Sequence, residues 1–339
     1  MSRLRSAVPA LRTRRLLRLG SGLTAAALAL GMALSPGTAS ATTRSTPTMF
    51  GAAGPSKEVI EAHERVLGQR INGLRVYKDW DDRLFSGTQT WARDTGHTLF
   101  LSVNTKRGNG SGASWRDIAR ARPGDAIYAD MRDQAEQVKE FGAKVYLGFH
   151  HEPETESSLR YGNGADFQDA WRTWVSVFRD AGVTNAEYVF TMTAWGFART
   201  DERRAENYYP GDAFVDHIAA DGYNWYRCRE GDGKWRDLAD VIEAQRQFGQ
   251  KHPDKGLMLW EFGSAEDRGQ PGRKADWFRD AAELFTRPDY SQYRAVLTWE
   301  GRAHNGKLDC GFDYLSSPSA TQAWVDMATS PAYDAKRLP

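Results

Sequence analysis

Two glutamates stand where an apolar strand should end. Tyr146-Leu147-Gly148-Phe149-His150-His151-Glu152-Pro153-Glu154 and Leu257-Met258-Leu259-Trp260-Glu261-Phe262-Gly263 each place a carboxylate directly behind a hydrophobic run. A carboxylate in such surroundings costs free energy unless it is paired, so a sequence that keeps one there usually uses it. Two of them can divide labour. One, held partly protonated by apolar and like-charged neighbours, gives a proton to a leaving oxygen, while the other, ionised, attacks carbon. At a separation of about 5 Å this is the chemistry of glycoside cleavage with retention of configuration. Glu154 and Glu300 are the nearest rivals for the two roles.

The neighbouring residues fit such a site. Arg75, in Leu74-Arg75-Val76-Tyr77, is a cation inside an apolar strand and either steadies a carboxylate or closes a buried ion pair. His150 and His151 alternate sides of an extended strand, so only one shares the surroundings of Glu152. As metal ligands His-His-Glu is weak, because adjacent strand residues diverge and no further cluster with suitable spacing follows. No metal or cofactor is expected, since two carboxylates can supply acid, base and nucleophile. Trp195, Trp225, Tyr226 and Trp299 fall at predicted strand ends, where aromatic faces suit the CH faces of sugars. Asp221 and Asn224 would add hydrogen bonds, although Asp221 could equally anchor its loop.

These residues need a frame that gathers strand ends at one mouth. Eight apolar or β-rich runs alternate with amphipathic stretches: Met49 to Ala53, Leu74 to Trp80, Thr98 to Val103, Lys144 to His151, Tyr188 to Trp195, His217 to Tyr226, Leu257 to Phe262 and Arg294 to Trp299. Helices are predicted at Ser56 to Gln69, Asp125 to Phe141, Ala165 to Ala181, Arg236 to Gln250 and Lys274 to Phe285. In the third, Phe167, Ala170, Trp171, Trp174 and Phe178 recur at helical spacing and read as a core-facing stripe. This alternation over some 300 residues predicts α/β architecture, a single-domain (β/α)8 TIM barrel with its active site at the carboxyl ends of the strands. No GxGxxG follows the first strand and no GxxxxGK[ST] occurs. Gly108-Asn109-Gly110-Ser111-Gly112 reads as a flexible loop.

Taken together, His151-Glu152 after the fourth strand and Trp260-Glu261-Phe262-Gly263 after the seventh resemble glycoside hydrolase family 26, within the clan of (β/α)8 retaining glycosidases. The resemblance covers nearly all of the chain beyond residue 41, in strand order. It implies Glu152 as acid/base, Glu261 as nucleophile, Tyr223 of Asp221-Gly222-Tyr223-Asn224 as a hydrogen-bond donor to the nucleophile, and Trp299 as a sugar-stacking platform. It is the histidine before the acid/base that makes the match specific, since most clan members carry Asn there. The substrate-binding set expected is His151, Tyr223, Trp299, Asn224, Trp195 and Arg75. Family mannanases continue the acid/base motif with Met-Asn-Gly, whereas Pro153, Glu154, Thr155, Glu156 and Ser157 stand here, so the substrate-shaping loop differs. The expected reaction is endo-cleavage of β-linked, mannan-like polysaccharide. Alternatives are β-1,3-xylan, mixed-linkage glucan or a bacterial cell-surface glycan as substrate, or a non-catalytic carbohydrate-binding barrel.

The ends and composition set the context. Residues 1–41 read as an export leader: a basic stretch, an apolar run from Leu19 to Leu34, then Ala39-Ser40-Ala41 as a cleavage site. Thr13-Arg14-Arg15-Leu16-Leu17-Arg18 resembles a twin-arginine signal. Residues 42–339 form the catalytic domain, expected to be secreted and monomeric. The whole chain has 45 Lys and Arg against 44 Asp and Glu, but six arginines lie in the leader, leaving 39 against 44 and a net −5. A mildly acidic domain lacks the footprint for phosphate backbones, so no nucleic acid is expected as partner, and no membrane once the leader is removed. Cys228 and Cys310 are expected to pair in an oxidising compartment, beside the cleft.

Overall fold

A computed structural model of the chain describes residues 47–54, 56–228, 233–299, 302–304, 309–336 and 338, with only the backbone of 302–304, 309 and 310. The proposed leader and Glu300 lie outside the described residues. The described residues belong to one compact unit within Thr42–Pro339. Eight parallel strands close into a barrel in sequence order. They are β1 (Met49–Ala53), β2 (Gly73–Lys78), β3 (Thr98–Val103), β4 (Val145–Phe149), β5 (Ala186–Thr193), β6 (His217–Asn224), β7 (Gly256–Ser264) and β8 (Tyr293–Thr298). Between and after them run α1 (Lys57–Leu67), α2 (Gly87–Asp94), α3 (Trp115–Arg120), α4 (Ala126–Phe141), α5 (Gly164–Asp180), α6 (Ala194–Ala198), α7 (Leu238–Gln250), α8 (Arg273–Leu284) and α9 (Pro318–Thr329). The predicted (β/α)8 barrel is the observed fold.

Local chemistry explains the boundaries. α5 begins where Asn163 and Asp166 form a reciprocal capping box, and Ser86 with Gln89 does the same for α2. Gly68 and Gly142, both left-handed, stop α1 and α4. α5 turns Phe167, Trp171, Trp174 and Phe178 inward, each fully buried, and burial of such a side chain is worth about 1.5–3 kcal/mol. The Gly108 to Gly112 segment is a turn held by Arg107 N–H to Ser111 O (2.8 Å) and Ser111 N–H to Asn109 Oδ1 (2.9 Å).

Strand alternation splits the core in two. Outward residues such as Leu74, Val76, Leu257, Leu259 and Phe262 pack under the helices. Inward residues Met49, Phe100, Tyr146, Val189, Met258, Trp260 and Leu297 fill the lumen, and Ala335 and Leu338 join them. The Trp260 indole presses on β4, where a Cβ on Gly148 would lie 2.8 Å from Cζ3, so glycine lets the ring in. No helix of the described residues is long and apolar enough to cross a membrane.

Candidate active site

Glu261 owes its direction to an irregularity in β7. Pairing with β6 runs regularly to Ala220↔Leu259 and resumes at Asp221↔Glu261, so Trp260 is an extra residue in β7. In an unbroken strand Trp260 and Glu261 would face opposite sides. The bulge lets both turn inward, with Trp260 in the lumen and Glu261 above it, and returns Phe262 to the helix-facing layer. On β2 the ordinary alternation puts Arg75 and Tyr77 on the same inner face.

These side chains converge on one carboxylate. The Tyr77 hydroxyl donates to Glu261 Oε1 at 2.6 Å, and Arg75 donates to the same oxygen from NH2 at 3.1 Å and Nε at 3.3 Å. The Tyr223 hydroxyl donates to Oε2 at 2.5 Å. Burial, and then the charge of Glu261, push the Tyr223 phenol well up. Burial does the same for Tyr77, with Arg75 opposing and Glu261 adding to the rise. Both tyrosines therefore stay protonated and donate, so that each of these three side chains gives hydrogen bonds to Glu261.

Arg75 is wholly buried, its guanidinium 4.5 Å from the Trp260 ring centre and 4.7 Å from that of Tyr77. Burial alone would lower its pKa, but Tyr77, Asp221 and Glu261 outweigh this and hold it above the ordinary value. Asp221 lies 3.7 Å from the same guanidinium, and neither of its oxygens has a hydrogen-bond partner. Burial and the charge of Glu261 raise its pKa well above the carboxylate range, Arg75 pulls it back, and Glu152 and Glu154 add to the rise. His151, its ring 5.4 Å from that of Tyr77, is pushed down to about 3 by burial and by Arg75, and so is neutral. His151, Asp221 and Glu261 bring one ligand atom each within 4.8 Å of one another, the only grouping of this kind among the described residues. The Arg75 guanidinium already supplies a cation to both carboxylates of that group, which disfavours a metal ion there.

The other half of the site leaves β4 through strained backbone. His150 and Glu152 have φ of 45° and 53°, left-handed values that cost L residues about 1–3 kcal/mol each unless the surroundings enforce them. The His150 N–H donates to Val103 O at 2.8 Å and the Glu152 N–H to Thr191 O at 3.1 Å. His150 is the packed histidine. Its Nδ1 accepts from the Thr105 N–H (3.2 Å), which leaves Nε2 as donor to Ser158 Oγ (3.0 Å). Burial pushes it down to about 3. Glu152 is half-buried, and its charge is felt at Asp221. Glu154 is buried against β5 instead.

Aromatic residues edge the Glu261 side. Trp299 packs edge-on to Tyr223, ring centres 5.9 Å apart, and its backbone N–H donates to Phe262 O at 3.3 Å. Phe312 backs both Tyr223 and Trp225 at 4.9 Å. Two expectations need correcting. Trp195 is not at a strand end, because β5 stops at Thr193, whose hydroxyl caps the short helix α6; Trp195 rides that helix, 41% exposed under the Arg236 guanidinium. Asn224 does not face a cleft. It is fully buried, its Nδ2 donating to Ser264 Oγ (2.9 Å) and its Oδ1 accepting from the Arg236 N–H (3.1 Å), so it holds the β6 loop. Cys228 is buried and no described cysteine is free, while the Cys310 side chain lies outside the described residues.

No family model matches the chain. Endoglucanase H of Acetivibrio thermocellus is 25% identical over 280 residues, 80% of this chain and 29% of that protein, so the chain spans under a third of this relative's length. A family 26 β-mannanase from Bacteroides ovatus superposes with a TM-score of 0.58 at 18% identity, over 85% of this chain and 90% of that one. For a modular endo-β-1,4-mannanase from Cellulomonas fimi the values are 0.58 and 19%, over 84% and 71%. For the family 26 endo-β-1,4-mannanase of Bacillus sp. JAMB-750 they are 0.59 and 14%, over 86% and 87%. The chain has the fold of the family 26 mannanases.

On that fold, Arg75, His151, Tyr223 and Glu261 of the expected set meet in one cluster, with Trp299 packed beside it and Glu152 in electrostatic reach. Glu261 lies within β7 rather than after it. Sequence reasoning missed Tyr77, although it stands two residues from Arg75 on one strand and alternation alone puts it on the same face.

Proposed function

We propose that the chain is a retaining glycoside hydrolase of family 26 that cleaves β-linked polysaccharide internally. The observation that carries this reading is the cradle of Tyr77, Tyr223 and Arg75, all donating to Glu261, which fixes a buried carboxylate at the barrel mouth. In the first step Glu152 gives its proton to the glycosidic oxygen while Glu261 attacks the anomeric carbon; the bond to the leaving sugar breaks and a glycosyl ester forms on Glu261. In the second, Glu152, now a carboxylate, takes a proton from water, which attacks the same carbon and frees Glu261. Neutral His151 and the Trp299 face border the sugar. The protein is exported through its leader, acts as a monomer, and carries a Cys228 to Cys310 bridge beside the cleft.

Mannan is the first substrate proposed, since the similar structures are mannanases. A β-glucan is the second, favoured by the likeness to an endoglucanase and by the distinct loop after Glu152. Release of reducing ends by the purified protein from β-mannan, galactomannan, β-1,3-xylan, mixed-linkage glucan and cell-wall polysaccharides tests this, with Glu261→Ala alongside. Release from one glycan that vanishes in the variant establishes the reading and names the sugar. Absence of release from all of them, with a glycan still bound, would point to a carbohydrate-binding barrel.

A further inference from the structure

The pairing of β4 with β5 ends early. Backbone register runs from Val145↔Ala186 to Leu147↔Tyr188, although β5 continues to Thr193. Beyond that point the chain leaving β4 is tied back to β5 twice. The Glu152 N–H donates to Thr191 O at 3.1 Å. Two residues on, Glu154 Oε1 accepts the Thr193 N–H at 2.9 Å and the Thr193 hydroxyl at 2.5 Å. Residues 152 and 154 thus meet 191 and 193 with the spacing of a strand ladder, and in the second rung a side-chain carboxyl stands in for a backbone carbonyl.

The seat for that carboxyl is built. Glu154 is 3% exposed, and a Cβ on Gly196 would lie 2.6 Å from its Oε1, so glycine on α6 makes the room. Its Oε2 is buried without a partner, and burial raises the group to about 7, which suits a neutral acid whose Oε1 accepts. Between the rungs lies Pro153, which is buried, and before it Glu152 in its left-handed conformation. This segment is also where the sequence departs from the family 26 pattern.

We propose that Glu154 is a positioning residue: its side chain extends the β4–β5 ladder by one rung and thereby fixes the carboxyl of Glu152 for proton transfer to the leaving group. This rests on the acid/base role of Glu152 given above. A misplaced acid costs most when the leaving group needs protonation and little when it does not.

The test compares kcat/KM on the glycan that the wild type cleaves with kcat/KM on the dinitrophenyl β-glycoside of the same sugar, for Glu154→Gln, Glu154→Ala and Gly196→Ala. The glutamine keeps the acceptor oxygen and should stay within about threefold of wild type on both. Glu154→Ala should lose about ten- to a hundredfold on the glycan and about threefold or less on the activated glycoside. Gly196→Ala, which displaces the carboxyl without removing it, should lose in the same selective way and serves where Glu154→Ala does not fold. Equal losses on both substrates, no loss, or a glutamine as poor as alanine would overturn the proposal. Amide exchange at Thr193 is measured in parallel and should quicken in Glu154→Ala and in Gly196→Ala but not in Glu154→Gln; unchanged exchange in Glu154→Ala refutes the rung whatever the activity. A wild type inert on every glycan would sink the role of Glu152 and positioning with it, and the exchange result would still report the rung itself.

Discussion

Arg75 faces two carboxylates and needs only one of them charged. Its side chain is fully buried, 3.1 Å from Glu261 and 3.7 Å from Asp221. Burial and Glu261 push the Asp221 pKa well up, so Asp221 holds a proton while Glu261, accepting from two tyrosines and the guanidinium, is the counter-ion. In Glu261→Gln the like charge that keeps Asp221 protonated is gone, and Asp221 can ionise in its place; the cost should be about 1 kcal/mol or less. Asp221→Asn removes a group that is already neutral, at a similar cost of about 1 kcal/mol or less. The double variant leaves a buried guanidinium with neither carboxylate, which costs about 3–5 kcal/mol. The two substitutions should therefore couple by at least about 1 kcal/mol, beyond the roughly 0.5 kcal/mol expected of independent sites. Urea unfolding of the four proteins at pH 7, with a shared m-value, measures this. A double variant no less stable than the sum of the singles would refute the shared counter-ion, and a large loss in Glu261→Gln alone would show that Asp221 cannot take over.

Glu154 gives stability a pH dependence of known sign. Burial raises it from 4.5 to about 7, so its contribution is complete below pH 4.5 and is lost as pH rises through about 7. Relative to Glu154→Gln, the wild type should lose up to roughly 3 kcal/mol between pH 5 and 8 in urea unfolding, and parallel curves for the two proteins would contradict this. Tyr77→Phe removes the 2.6 Å hydrogen bond to Glu261 Oε1, and a bond to a charged group is worth about 1.5–3 kcal/mol, so kcat/KM on the cleaved glycan should fall about ten- to a hundredfold. An unchanged kcat/KM would remove Tyr77 from the site.

Much of this was open to reading because parallel barrel strands are buried on both faces and stand out as apolar runs. Met49–Ala53 and Thr98–Val103 match the predicted runs, and the other six strands differ by a few residues at their ends. The run predicted for β5 starts and ends two residues late because Ala194 and Trp195 continue its apolar character, while the break comes from Thr193 acting as a helix cap. α2, α3 and α6, of eight, six and five residues, are too short to show helical periodicity. α9 carried a start signal in Ser317 followed by Pro318, but its small residues give a weak apolar stripe. Both glutamates were visible as polar breaks in apolar runs. The bulge at Trp260 that aims Glu261 was not, since an extra residue in one strand leaves no mark in its own sequence. Asn224 misled because a polar residue at a strand end looks the same whether it faces a ligand or fastens its own loop.

The floor of the barrel brings the two ends of the domain together. The Thr48 N–H donates to Ala332 O at 2.8 Å, Met49 bridges Asp334, and Ala335 and Leu338 close the lumen where β1 begins. Whatever is joined at either end, a carrier module, a surface tether or a tag, therefore departs from the face opposite Glu261 and leaves the approach of a long polymer clear. By the same geometry a short linker between the two ends would yield a circular permutant, and reopening it at the Gly108 to Gly112 turn would leave every strand of the barrel uncut.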